Sequence, residues 1–282
     1  MFEVSAMDMM NIGIIMRKEI GDARRNRWFI LLSIIFVGLT LALSLFGYAG
    51  LGTFGVTGFG RTTASLLNLV LLIVPLMGLL LGAVSISGER EQGTLMTLLA
   101  QPVTPKEILL GKYLGVASAL AGAILFGFGL SGIVIGWYGG TANITDYLSL
   151  VGFTLLLGFV SLGLGFCLSV FNHKSTTAVG FAIFIWFLLL FISDIGMMGT
   201  AIMLKIAPKF LLWLTFLNPA QVFKLAVIHF LHGDLEMLGS SGLYAVETFG
   251  DGFVWLLAGL LAAWVILPFA AALYFFQRRC VQ

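Results

Sequence analysis

The stretch GEREQGTLMTLLAQPVTPKE, residues 88–107, is the one long polar interruption in the first half of the chain. Apolar runs of about 20 residues, long enough to cross a bilayer as helices, flank it on both sides. It opens with three charged residues, yet its middle carries the apolar Leu95, Leu98 and Leu99. A plain connecting loop needs neither this length nor this apolar stripe. We therefore predict a short helix over residues 92–100, within a stiff polar connection between two spans.

Composition places the chain among membrane proteins. It has 282 residues, of which 60% are hydrophobic and 10% are charged, whereas soluble domains have about 25% charged residues. The apolar runs are continuous and do not alternate, so the spanning elements are expected to be helices and not barrel strands. The net charge of +2 gives no indication of a nucleic-acid partner. The two cysteines, Cys167 and Cys280, lack the spacing of a disulfide framework or a thiolate metal site.

The fold class predicted from these runs is an all-α polytopic membrane protein, with a single transmembrane domain over residues 1–282. Six transmembrane helices are expected at 28–48, 65–87, 111–138, 147–171, 176–198 and 253–276. The first run is longer than the roughly 7–15 apolar residues of a signal-peptide core, so we expect it to be retained.

The positions of Lys and Arg predict the orientation. Eleven of the 15 lie in the leader (residues 1–27), the second and fourth connections, and the tail, and four lie on the opposite side. Cationic residues accumulate on the cytoplasmic side of membrane proteins. Both termini and the polar segment 88–110 are therefore predicted to be cytoplasmic.

The leader has apolar residues near helical spacing, namely Ile12, Ile15, Met16, Ile20 and Ala23. This pattern predicts an amphipathic helix lying along the cytoplasmic membrane surface, in contact with lipid. The alternative is a solvated basic tail that only sets the topology.

An outer region is expected over residues 199–252, as the largest extramembrane part of the chain. Within it, the apolar segment 210–231 is almost long enough to span, but Asn218-Pro219 interrupts it. Asn is a favoured N-cap and Pro a favoured first helical residue, so a new helix is predicted to start there. We expect two short helices that either lie in the outer interface or dip into the membrane and return.

Small residues recur four apart in several spans, and such pairs allow helices to approach closely. They are Gly78/Gly82, Gly111/Gly115 and Gly132/Gly136.

The sequence shows no catalytic constellation, so we expect a non-enzymatic chain. The nearest approach to a nucleotide-binding loop is Gly111-Lys112, but that motif needs Gly at Lys106 and Ser or Thr at Tyr113. If ATP drives this protein, another chain hydrolyses it.

Three ionisable residues in or near apolar segments have two interpretations each. Asp194, near the outer end of the fifth span, is either a polar point on a substrate path or an interfacial carboxylate in contact with water. His229 and His232 share one helix face and are weak candidates for a metal site, but no third ligand is fixed by the sequence. The alternative is a pair of ordinary interfacial histidines, and no metal site is predicted.

The segment GEREQGTLMTLLAQPVTPKEILLGK resembles the characteristic motif of ABC-2 type transporter permeases, a pattern close to E-R-E-x-G-T-x-x-x-L-L-x-x-P-x-[ST]-x-x-[DE]-[IL]-x-x-G-K. The resemblance implies a coupling helix that docks on a separate cytoplasmic ATPase, which would use ATP and Mg while this chain binds no cofactor. It also implies a homodimer in a bacterial inner membrane. Carried over to this sequence, the ATPase-coupling residues are Glu89, Arg90, Glu91, Gly93, Thr94, Leu95, Leu98, Leu99 and Pro102, with Lys174 in a second, smaller contact.

A narrower resemblance rests on RRNRW (24–28), on the apolar run ending at Asp194, and on LLWLTFLNP (211–219). These are similar to the permease family that acts with a cytoplasmic ATPase and a periplasmic repeat protein in copper-site maturation of nitrous oxide reductase. The resemblance implies that the periplasmic partner docks on the outer region, for which Asn218, Pro219 and Lys224 are the candidate residues.

Three other functions stay open at this stage. They are a general exporter of lipid, glycan or drug, an ATP-independent channel or secondary transporter, and a non-transporting scaffold. A secondary transporter usually has ionisable residues near the midplane and an inverted repeat, and neither is clear here.

Overall fold

The computed structural model describes residues 2–49, 58–139, 144–192, 208–230 and 252–280, and within these ranges the regular structure is entirely helical. The α-helices are α1 (Phe2–Ala23), α2 (Arg27–Ala49), α3 (Gly58–Glu91), α4 (Thr94–Leu99), α5 (Pro105–Gly139), α6 (Ile144–Phe171), α7 (Ser175–Phe187), α8 (Pro208–Phe216), α9 (Pro219–Phe230) and α10 (Phe253–Cys280). A π-helical turn, Leu188–Ile192, continues α7.

Five of these helices are long and apolar enough to cross a membrane, namely α2, α3, α5, α6 and α10. They correspond to predicted spans one to four and six. The fifth predicted span, 176–198, is represented by a shorter apolar helix, Ser175–Phe191, and its last six residues lie outside the described ranges. The chain is an integral membrane protein, and the count of six spans stays a prediction.

Helices α3 and α6 form the closest-packed pair at the centre of the bundle. A Cβ added at Gly82 would lie 2.5 Å from the Leu162 carbonyl oxygen, and one added at Gly78 would lie 2.8 Å from that of Gly158. From the other side, a Cβ at Gly165 would lie 2.6 Å from the Leu79 oxygen. The two backbones are therefore in direct contact, as the small-residue spacing predicts.

The leader forms a helix, α1, as predicted, and it packs on protein along the apolar face. A Cβ at Gly111 would lie 2.8 Å from the Ile15 Cβ, and one at Gly115 would lie 2.7 Å from the Met16 carbonyl oxygen. The second glycine pair of the sequence is thus the groove of α5 that receives α1. The third pair differs, because a Cβ added at Gly132 would lie 3.1 Å from the Tyr147 ring, whereas one added at Gly136 would meet no other element within 4 Å in the described part of the chain.

The segments predicted to be cytoplasmic meet at one end of the bundle. Helix α1 lies against the start of α5, and the end of α3 contacts the α6–α7 connection. Gln277 of α10 lines a cavity of about 570 Å³ together with Ile12 of α1 and Thr104. Segments on the same side of a membrane must lie at the same end of the helix bundle, so this grouping agrees with the predicted orientation.

The segment after the π-helical turn contains two short helices that break at Asn218-Pro219, as predicted. The Asn218 Oδ1 accepts a hydrogen bond from the Ala220 N–H at 2.9 Å, which caps α9. Helix α9 is largely buried against α6 and α10, with Val222, Phe223 and Ala226 fully enclosed. Helix α9 is therefore packed within the bundle, and its placement relative to the membrane, in the outer interface or dipping in and returning, stays a prediction.

Candidate coupling site

The elbow, residues 88–110, connects α3 to α5 through the short helix α4. The chain turns at Gly93, whose φ of 75° is in the left-handed region where a side chain would be strained. Leu95 is 5% exposed, and Leu98 and Leu99 pack partly buried against the main core, so the predicted apolar stripe faces inward. The Thr94 hydroxyl donates to the Glu89 carbonyl oxygen at 3.2 Å, which fixes the start of α4 to the end of α3.

The far side of the elbow is fixed by a capping box at the start of α5. The Thr104 N–H donates to Glu107 Oε2 at 2.7 Å, and the Glu107 N–H donates to Thr104 Oγ1 at 3.3 Å. Pro105 occupies the first helical position, where its missing N–H costs nothing. The elbow is therefore rigidly joined to a long helix at each end.

The side chains of Arg90 and Glu91 contact the connection between α6 and α7. Arg90 Nη1 donates to the carbonyl oxygens of Val170, at 3.1 Å, and Asn172, at 2.9 Å, at the end of α6. Glu91 Oε2 accepts from the Ser175 N–H at 2.8 Å, at the start of α7. A cation at a helix C-terminus and an anion at a helix N-terminus both interact favourably with the helix dipole. These two residues hold the α6–α7 connection against the elbow.

Glu89 belongs to a buried charge cluster, which we define as Lys18, Glu19, Glu89 and Lys112. The Lys112 ammonium donates to Glu19 Oε1 at 2.7 Å and lies 2.8 Å from Glu89 Oε1. Its third donor reaches the Ser85 carbonyl oxygen at 3.3 Å. Lys112 is 1% exposed, so these three acceptors replace the water that the ammonium loses.

Lys18 connects the cluster to solvent. Its ammonium lies 2.7 Å from Glu89 Oε1 and 3.6 Å from Asp22, one turn further along α1. Burial by itself lowers the pKa of Lys18, but its hydrogen bond to Glu89 and the surrounding negative charges outweigh this and raise that pKa above its ordinary value. Through this cluster, α1 and α5 are both bonded to the last turn of α3.

The face of the elbow that points away from the helix bundle is exposed, and it is uncharged between Glu91 and Lys106. Met96 is its most prominent apolar group, with 74% of its surface exposed. Thr97, Gln101 and Pro102 are exposed beside it, and Lys174 is exposed in the α6–α7 connection. This end of the bundle therefore offers an apolar group within a polar, neutral surface.

The other candidate residues are dispersed. Asp194 and His232 lie outside the described residues. The His229 ring packs against Phe253 at 5.4 Å between centroids, and no group of three metal-ligating side chains occurs in the described part of the chain.

Asn218 and Pro219 are buried, and Lys224 is partly exposed. The Asn218 Nδ2 donates to the Leu189 carbonyl oxygen of the π-helical turn at 2.7 Å, so this side chain is engaged within the bundle.

The sequence interpretation did not include the charge cluster. Two signals point to it. Lys112 lies at the start of an apolar run, where a cation needs a partner, and Glu19 lies on the apolar face of the leader, one turn from both Ile15 and Ala23. The capping box also has a sequence pattern, Thr104-Pro105-Lys106-Glu107.

Comparison with known proteins agrees with this architecture. A family model described as "ABC-2 family transporter protein" matches residues 13–281. Two curated relatives are both described as "Probable ABC transporter permease protein NosY". The relative from Stutzerimonas stutzeri is 33% identical over 279 residues, covering 94% of this chain and 97% of its own. The relative from Pseudomonas aeruginosa is 36% identical over 217 residues, covering 75% and 79% respectively.

Proposed function

The chain belongs to the ABC-2 transporter family, as a permease subunit of an ABC transporter, and from this premise we propose that its elbow couples a separate cytoplasmic ATPase to the membrane helices. The observation that carries the proposal is the set of contacts made by Glu89, Arg90 and Glu91. These consecutive residues bond to α1 and α5, to the end of α6, and to the start of α7. A movement imposed on the elbow would thus reach four helices.

Within this proposal, the residues of the elbow have two roles. Met96 and its exposed neighbours make the contact with the ATPase, because they face outward. Glu89, Arg90 and Glu91 pass the movement on, because their side chains are bonded to other helices of the same chain. In this proposal Glu89, Arg90 and Glu91 act within the permease and do not dock on the ATPase themselves. ATP and Mg would be bound by the partner chain, and closure of two ATPase subunits would act on a homodimer of this chain.

The biological context is proposed from the two relatives named NosY. In this context the transporter takes part in copper-site maturation of nitrous oxide reductase, by export or by an outward conformational signal to a periplasmic repeat protein. Docking on the outer side would use exposed residues in α8 and directly after it, because Asn218 and Pro219 are buried. Trp213 and Leu217 are 59% and 68% exposed.

The coupling proposal is tested by Met96→Glu in the complete transporter. A charge placed in an apolar contact should weaken ATPase binding at least about tenfold, measured by co-purification and by titration of the ATPase onto the reconstituted permease. Met96→Leu keeps the apolar volume and should bind as the parent does. Met10→Glu, a 62% exposed methionine on α1, controls for the added charge. Unchanged ATPase recovery with Met96→Glu would contradict the proposal.

The context is tested separately, in a host that produces nitrous oxide reductase. Deletion of this chain should leave the reductase deficient in copper, and the parent sequence should restore the copper content. Normal copper loading in the deletion strain would favour a general exporter instead.

A further inference from the structure

Two adjoining cavities lie beside α3, a polar one between α1, α3 and α5 and an apolar one between α2, α3 and α7. The polar cavity has a volume of about 170 Å³ and is lined by Glu19, Glu89 and Lys112 of the charge cluster, with Asp22 and Ser85. The second has a volume of about 120 Å³ and is lined almost entirely by apolar side chains, among them Trp28, Leu32 and Ile183. Asn26, Leu81 and Val84 line both cavities, so the polar cavity and the apolar cavity adjoin at these residues.

The polar cavity has unused hydrogen-bond acceptors. Glu89 Oε2 and Ser85 Oγ are buried there and have no hydrogen-bond partner in the described part of the chain. Three carboxylates line this cavity, those of Glu19, Asp22 and Glu89, against two cations: Lys112, which also lines it, and Lys18, whose ammonium pairs with all three acids. Buried oxygens of this kind are costly unless a donor reaches them. The cavity therefore suits a cationic group that carries N–H donors.

Three exposed arginines flank, along the chain, the asparagine at the boundary between the cavities, although none of them lines either cavity. Asn26 lines both spaces, and its chain neighbours Arg24, Arg25 and Arg27 are exposed. Exposed arginines at a membrane surface are suited to phosphate, which their guanidinium groups bind in a bidentate manner. Beyond the boundary, Trp28 is 71% exposed beside the apolar cavity, in the manner of an interfacial aromatic residue.

An acidic cavity, an adjoining apolar cavity and exposed arginines next to Asn26 in the chain thus offer partners for the amine, one acyl chain and the phosphate of a lipid. We propose that these two cavities bind a phospholipid with a primary-amine headgroup, of the phosphoethanolamine type. Its ammonium would donate to Glu89 Oε2 and Asp22, its phosphate would lie at Arg24–Arg27, and part of one acyl chain would occupy the apolar cavity. The lipid would fill the gap between the leader and the spans. This inference is independent of the proposed coupling function, because it concerns binding to this chain alone.

The test is lipid retention by the full-length permease. The protein is reconstituted in nanodiscs that contain equal parts of phosphatidylethanolamine, phosphatidylcholine and phosphatidylglycerol, then extracted with detergent and analysed by native mass spectrometry. Phosphatidylcholine has a cationic headgroup without N–H donors, and phosphatidylglycerol has no amine. We expect phosphatidylethanolamine to be retained at least about fivefold over either, since one hydrogen bond to a charged group is worth that factor.

Two variants locate the site. Leu32→Trp fills the apolar cavity and should reduce phosphatidylethanolamine retention at least about fivefold, whereas Ile34→Trp, at a 67% exposed position on the same helix, should not. Asp22→Asn removes one carboxylate, and because that side chain is 55% exposed, the variant should fold normally. It should lose the preference for phosphatidylethanolamine over phosphatidylcholine. Equal retention of the three lipids by the parent protein would overturn the proposal. So would unchanged retention and preference in Asp22→Asn and Leu32→Trp.

Discussion

Helix α3 is held in two different ways along its length. In its middle, Gly78 and Gly82 bring its backbone into contact with that of α6, without any charged group. In its last turn, long charged side chains reach α1, α5, α6 and α7. Backbone contact permits one geometry, because any separation opens a gap and any approach is a clash. Side-chain ion pairs can change partners by rotamer changes. We infer that α3 and α6 move as one unit, and that rearrangement occurs at the polar end.

The largest expected effect comes from removing the cation of the charge cluster. Lys112→Met should lower the free energy of unfolding by about 3–5 kcal/mol, because Glu19 and Glu89 would lose their buried cation and keep only the half-exposed Lys18 as a counter-charge. The measurement is chemical unfolding of the detergent-solubilised protein. Lys106→Met, at an exposed position in the first turn of the same helix, should have little effect.

Replacing the two acids together with the lysine sharpens this result. The triple variant Lys112→Met, Glu19→Gln, Glu89→Gln should recover part of the stability lost in the single variant, since the buried acids lose their charge and the half-exposed Lys18 keeps Asp22 and water as partners. If Lys112→Met unfolds at the same denaturant concentration as the parent, the charge cluster does not stabilise the last turn of α3. The contrast between the two parts of α3 is then wrong.

An intermediate effect is expected at the backbone contact. Gly82→Ala should lower the free energy of unfolding by about 1–3 kcal/mol, because the added Cβ meets backbone atoms that cannot move aside. Gly122→Ala is the matched control, since no atom lies within 4 Å of the added methyl group. It should be neutral or stabilising by roughly 0.5–1 kcal/mol. Equal melting temperatures for the two variants would show that α3 and α6 are not in rigid contact.

The smallest effect concerns the far end of the elbow. Thr104→Ala removes the capping hydroxyl of α5 and should cost about 1 kcal/mol, whereas Thr104→Ser keeps the hydroxyl and should retain most of the stability. Thermal unfolding of the three proteins side by side measures this difference. A Thr104→Ser variant as unstable as Thr104→Ala would mean that the methyl group, and not the hydrogen bond, is what matters.

Local chemistry made much of the fold predictable. The Asn218-Pro219 break, the helix in the elbow and the glycine grooves depend on backbone preferences and residue size, which are properties of neighbouring residues. In the described part of the chain the break, the elbow helix and the first two glycine pairs are confirmed, whereas Gly132 and Gly136 form no groove for another helix backbone. The glycine spacing did not reveal which helix would occupy the groove at Gly111 and Gly115, because α1 and a second span fit such a groove equally well.

The charge cluster was harder to predict because its members are distant in sequence. Glu19 and Lys112 are 93 residues apart, and hydropathy alone places a carboxylate on the solvent side of an amphipathic helix. The two charges can be buried because they pair in space, which offsets the free-energy cost of removing them from water. The inward orientation of Glu89, Arg90 and Glu91 has the same cause, since the groups that they contact are supplied by other helices.

The three consecutive charges at the end of α3 also restrict the kind of motion that the helix can make. Successive side chains leave an α-helix about 100° apart, so Glu89, Arg90 and Glu91 project in three directions around the axis. Rotation of α3 about its own axis would carry all three away from their partners at once. A tilt of the axis can preserve all three contacts if the neighbouring helices follow. We therefore expect torsion of α3 to be resisted at this end of the molecule, and a tilt of α3 to be shared by α1, α5, α6 and α7.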